Sequence, residues 1–137
     1  MRKLLVITAL LLFVGIAFGQ TLKKGNLIGV HVMSIELKPG ATMDQYIDFF
    51  NEKTKPAWEK TYVGMQIFIM EGIRGEHMNE IGLIFQFTDE AARDQSYNAD
   101  GSLTEFGQKV QEKMAPIVVE AEKIGTWTFK YTDWLVL

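Results

Sequence analysis

The sequence predicts an α+β domain in which two helical segments cover one side of an antiparallel four-stranded sheet. Three observations carry that expectation. Apolar runs of strand character occur four times, over residues 27–37, 65–75, 81–87 and 126–137. Stretches with apolar residues at helical spacing separate the first run from the second and the third from the fourth. Turn signals stand at the joints, among them Lys38-Pro39-Gly40 and Gly64.

The elements follow in order. Leu27 to Leu37 is rich in Val, Ile and Leu and reads as a strand ended by the Pro39-Gly40 turn. Thr42 stands three residues before Gln45, the spacing of a capping box. Tyr46, Ile47, Phe50, Thr54, Ala57 and Trp58 then form one apolar stripe, with Pro56 expected to kink or restart the helix. "MQIFIMEGIRG" is the second strand, "EHMNE" the connection and "IGLIFQF" the third strand. Thr88-Asp89-Glu90 opens a second helical region that pauses at "NADGS". Ser102 and Glu105 are expected to box its restart, Pro116 to bend it and Gly125 to cap its end. "TWTFKYTDWLVL" is the last strand. The order βαββαβ is that of two split βαβ units, the ferredoxin-like arrangement.

Alternation assigns the strand residues to two faces. His31, Met33, Ile35, Leu83, Phe85, Trp127, Phe129 and Tyr131 share the more apolar face, expected under the helices. Val30, Val32, Phe68, Met70, Ile84 and Trp134 lie on the other, mixed with Ser34, Gln66, Thr128 and Lys130. That second face is too apolar for a bare solvent surface. A homodimer packing the two sheets face to face, a dimeric α/β barrel, would cover it.

The N-terminus "MRKLLVITALLLFVGIAFG" has a basic start, an apolar middle and small residues before a cut. It is expected to be a signal peptide over residues 1–19, cleaved after Gly19, with a single domain over 20–137. The apolar part falls short of the roughly 20 residues of a membrane span. The expected mature protein is secreted or periplasmic and not membrane-bound. The chain has no cysteine, and a domain of 118 residues needs no disulfide staples. Loss of Arg2 and Lys3 takes the formal charge from −3 to about −5, which argues against a nucleic-acid partner.

"HVMSIELKPGATMDQYIDFF" resembles the opening of the dimeric α/β-barrel superfamily, which includes stress-responsive barrel domains and antibiotic-biosynthesis monooxygenases. The resemblance implies the fold named above, a homodimer and a pocket between helices and sheet. The superfamily's haem-degrading members use a histidine on the second helix, and residues 89–124 contain none. Its cofactor-free monooxygenases act on aromatic compounds through pocket aromatics and polar groups. In its sugar mutarotases a tyrosine and a Pro-x-Trp element are similar to Tyr46 and Pro56-Ala57-Trp58, but Phe50 stands where a histidine is required.

Of two histidines, His31 is the candidate acid/base group and His77 lies in a turn. The plainer role for His31 is a part-buried imidazole hydrogen-bonded for structure. Tyr46, Trp58, Phe85 and Tyr97 are candidate pocket walls, and each also reads as core or loop. Glu71 and Arg74 would bracket a ligand's polar end, or form an exposed ion pair. No metal-ligand spacing, phosphate loop or hydrolase motif is present, and no cofactor is expected. The reading is an exported protein that binds a small organic molecule. Its chemistry would be cofactor-independent oxygenation or proton transfer on a phenolic or carbonyl compound. The alternative is a non-catalytic accessory or binding protein that works through its dimer interface.

Overall fold

Strand β1 (Leu27–Leu37) lies inside the sheet, hydrogen-bonded on one side to β3 (Ile81–Phe87) and on the other to β4 (Gly125–Leu135). Strand β2 (Gln66–Glu71) is the edge beyond β3, giving the order β2-β3-β1-β4 with every pairing antiparallel. This is the sheet that two interleaved βαβ units produce. The computed structural model describes residues 21–137, so the expected leader at residues 1–19 lies outside the described residues. The register sets Gly29 opposite Phe85 and Asp133, and His31 opposite Leu83 and Tyr131.

The first helical layer begins as read. Thr42 accepts from the Gln45 N–H at 3.2 Å, and the Gln45 side chain accepts from the Thr42 N–H at 2.9 Å. Helix α1 (Met43–Phe49) passes through a π-helical turn at Phe50–Thr54 into α2 (Lys55–Thr61). Pro56 explains the change of pitch. It has no N–H to give back along the helix, and its ring crowds the carbonyl one turn earlier. Widening the turn before it lets the helix restart with proline in its first turn.

The second layer differs from expectation in two places. The helix opening read at Thr88-Asp89-Glu90 is the short α3 (Glu90–Asp94), with Asp89 as its cap, accepting from the Ala92 N–H at 2.7 Å. Ser102 does not cap the next helix, because both its N–H and its hydroxyl donate to Asp100 Oδ1. Thr104 caps α4 (Glu105–Ala121) instead, accepting from the Gly107 N–H at 3.0 Å. Pro116 sits within continuous α4, on its exposed side, where water can satisfy the carbonyl that loses its partner. Gly125 is not a helix cap but the first residue of β4. A β-carbon there would stand 3.0 Å from the Glu36 carbonyl oxygen, so glycine permits the close approach of β1.

Met33, Phe50, Met65, Ile67, Leu83, Val110 and Met114 form the buried core between sheet and helices. Ile67 is fully buried, worth about 1.5–3 kcal/mol in apolar transfer. Its N–H faces away from β3 on the edge strand and donates to Glu59 Oε1 of α2 at 2.9 Å. Glu59 of α2 thus occupies one edge donor that would otherwise be open to another strand. Phe129 and Tyr131 are half exposed although they share the helix-side face, so the helices leave that stretch of β4 uncovered. On the opposite face Phe68, Met70 and Trp134 are 43, 40 and 61 % exposed. Among the described residues no helix is long and apolar enough to cross a membrane.

Candidate ligand cavity

Between the helix-side face of the sheet and the helical layer lies a cavity of about 480 Å³. That volume falls within the range typical of small-molecule sites. Its floor comes from alternate positions of β1, β3 and β4, including Met33, Leu83, Phe85, Trp127 and Phe129. The first helical layer supplies Tyr46, Phe50 and Trp58, and α4 supplies Ile117 and Ala121. The π-helical turn brings both Phe50 and Thr54 to the wall.

The wall is predominantly aromatic, and its rings are packed against one another. His31 lies 4.6 Å from Phe85, 5.1 Å from Phe129 and 5.2 Å from Tyr131, centroid to centroid, nearly parallel to the last. Trp58 stacks on Tyr62 at 5.7 Å and meets Phe85 edge-on at 6.5 Å. Tyr62 is fixed in turn by a hydrogen bond to Ser96, which is itself buried. Such offset and edge-on pairs hold ring orientation more firmly than aliphatic contacts do.

One end of the cavity is polar. Arg93, just before the end of α3, donates from Nε to Asp133 Oδ2 at 3.1 Å. Its guanidinium also lies over the Tyr97 ring, 4.4 Å from the centroid. His31 faces the same end. Burial lowers its pKa below the usual histidine value, opposed by the Asp133 carboxylate and assisted by Arg93. The imidazole is therefore largely neutral at pH 7, and among the described residues no hydrogen bond occupies it. Tyr46 is buried in the wall, and desolvation pushes its hydroxyl up to about 12, so it remains a donor.

Five of the residues singled out from sequence line this cavity: His31, Tyr46, Trp58, Phe85 and Tyr97. Glu71 and Arg74 do not. They are exposed at the end of edge strand β2 and in the loop after it, outside the cavity wall. The cations and anions of the polar end are instead Arg93 and Asp133, which the sequence reading did not select. Asp133 was legible, since it continues the alternation of Trp127, Phe129 and Tyr131 on the helix-side face. Arg93 had no such signal, because its approach to Asp133 spans 40 residues and depends on where α3 docks. Among the described residues no group of three or more metal-binding side chains converges.

No protein-family model and no curated protein matches this sequence. Solved structures do match the fold. A NIPSNAP family protein from Agrobacterium tumefaciens aligns with a TM-score of 0.57 at 9 % identity, over 85 % of this chain and 90 % of that one. A second NIPSNAP family protein of unknown function from the same organism aligns at 0.52 and 12 %, over 85 % and 94 %. SnoaB, a cofactor-independent oxygenase from Streptomyces nogalater, aligns at 0.49 and 10 %, over 82 % and 94 %. The chain has the ferredoxin-like α+β fold shared by the two NIPSNAP proteins, and identities this low speak to fold alone.

Proposed function

We propose that this protein binds a small aromatic molecule in the cavity and moves a proton at its polar end. The observation that supports it is the placement of a neutral, unpartnered imidazole among aromatic rings, beside a guanidinium held by a carboxylate. His31 accepts a proton from a phenolic hydroxyl or from carbon beside a carbonyl, and Arg93 stabilises the anion that forms. Tyr46 and Trp58 shape the apolar part of the site and exclude water. With dioxygen as co-reactant, a carbanion at an activated CH₂ goes on to a carbonyl, one oxygen atom entering the product and the other leaving as water. Such chemistry needs no bound cofactor, because the electrons come from the substrate.

Export through the N-terminal leader and assembly of two copies through the outer sheet face belong to the same proposal. The apolar exposed Phe68, Met70 and Trp134 support the second copy. They also favour the second reading, an accessory protein whose dimer surface is its working part and whose cavity only binds.

Two measurements separate these readings. Calorimetric titration with 2-naphthol tests binding, and deuterium exchange at the carbon acid 2-tetralone, followed by NMR, tests proton transfer. Binding with accelerated exchange that is lost in His31→Phe is the expected result. Binding without exchange leaves the accessory reading, and failure to bind 2-naphthol removes the cavity as a site.

A further inference from the structure

At Gly29 a polar side chain of β1, His31, and one of β4, Asp133, converge on the helix-side face. It stands opposite Asp133 in the register, two residues before His31 on the same face. A β-carbon on Gly29 would sit 3.0 Å from Asp133 Oδ1, 3.6 Å from His31 Nε2 and 3.6 Å from the Phe85 β-carbon. Oδ1 and Nε2 thus border one small notch, floored by backbone and open because glycine has no side chain. The other carboxylate oxygen, Oδ2, is the one engaged by Arg93, so Oδ1 is presented to the notch. Among the described residues neither Oδ1 nor Nε2 has a hydrogen-bond partner of its own.

We propose that this notch is a two-point polar slot for neighbouring hydroxyl groups on a planar aromatic ring, a catechol-type ligand. The proposal rests on the cavity reading above and narrows its substrate class. One hydroxyl donates to Asp133 Oδ1, which as a carboxylate oxygen only accepts. The other meets His31 Nε2, and a hydroxyl suits either tautomer because it both donates and accepts. The ligand's ring then extends along Phe85 and Tyr131, which already sandwich the imidazole. Charge selects against an acidic ligand: a carboxylate in the notch would face Oδ1, a penalty that a neutral pair of donors does not meet.

The test is a calorimetric comparison of naphthalene, 2-naphthol and 2,3-dihydroxynaphthalene on the full mature protein. The diol is expected to bind about tenfold tighter than 2-naphthol, the gain of one hydrogen bond to a charged acceptor. In Gly29→Ala, whose added methyl fills the notch and displaces Asp133 Oδ1 by a few tenths of an ångström, that preference should fall to about unity. His31→Phe keeps the ring stack and should also reduce it, and it decides the matter if near-ultraviolet dichroism shows Gly29→Ala unfolded. Equal affinity of wild type for the diol and 2-naphthol overturns the slot alone. A preference that persists in a folded Gly29→Ala, or unchanged in His31→Phe, also overturns it. Failure of all three probes to bind overturns the cavity reading and the slot together.

Discussion

Arg93 and Asp133 are joined by a 3.1 Å hydrogen bond from Nε to Oδ2, which ties a short helix to the last strand at the polar end of the cavity. Helix α3 is only five residues long and buries none of them fully, so it has little other hold on the sheet. This pair, together with the Tyr62–Ser96 hydrogen bond just beyond the helix, fixes its position and that of Tyr97.

The pair should therefore couple stability to binding. Arg93→Met and Asp133→Asn are each expected to cost about 1–2 kcal/mol, since both side chains are less than a third exposed. The double variant should lose less than the sum of the two, a coupling measurable in urea unfolding. Additive losses would mean that the two groups do not interact in solution.

The second hold on α3 is the hydrogen bond between Tyr62 and Ser96, both buried. Ser96→Ala leaves the Tyr62 hydroxyl without its partner and should destabilise by about 1–3 kcal/mol. Removing both partners in Tyr62→Phe with Ser96→Ala should restore part of that loss, because no polar group is then stranded. Thermal unfolding of the wild type and the two variants checks the ordering, and a double variant less stable than Ser96→Ala would contradict it.

Much of this architecture was legible because local signals and tertiary demands agree. The bounds of β1 and β3, the Thr42–Gln45 box and the Asp89 cap follow from short-range chemistry and stand where the sequence puts them. The helix cap moved from Ser102 to Thr104 because Asp100 competes for Ser102 within the same turn. Gly125 follows a helix, where glycine commonly signals a cap, whereas here the constraint comes from Glu36 on another strand. The aromatic wall was likewise visible in alternation. Its polar end was not, since Gly29 carries no side chain to notice and Arg93 acts across 40 residues.

The acid side of the stability curve should carry the signature of His31. Its folded pKa lies below the unfolded value of 6.5, so the unfolded chain binds the proton more readily. Full stability is present above pH 6.5 and declines as pH falls through the lower folded value, beyond which this contribution levels off. Asp133 and Arg93 act on the group in opposite senses, with burial the larger influence. His31→Phe should flatten that part of the curve, and an unaltered profile would exclude the burial described here. Tyr46 works at the other end: its pKa is raised to about 12, so its share of stability is complete below pH 10 and lost as pH climbs toward 12. Tyr46→Phe should remove that alkaline decline.

The outer face of the sheet makes the last prediction. Phe68 on β2 and Trp134 on β4 are exposed near opposite edges, with Val30, Val32 and Ile84 between them. Burying such a surface against a second copy yields far more than any single rim contact, because the gain grows with apolar area. If two sheets meet in this way, the protein sediments as a pair and its melting temperature rises with concentration. Phe68→Lys combined with Trp134→Lys places charge in that interface without touching the cavity on the other side of the sheet. The variant should sediment as single chains and melt independently of concentration, while retaining affinity for 2-naphthol if the cavity is complete within one chain. Loss of that affinity along with the pairing would show that the site is built only in the assembled form. Wild-type protein that sediments as single chains at every concentration would remove the face-to-face arrangement altogether.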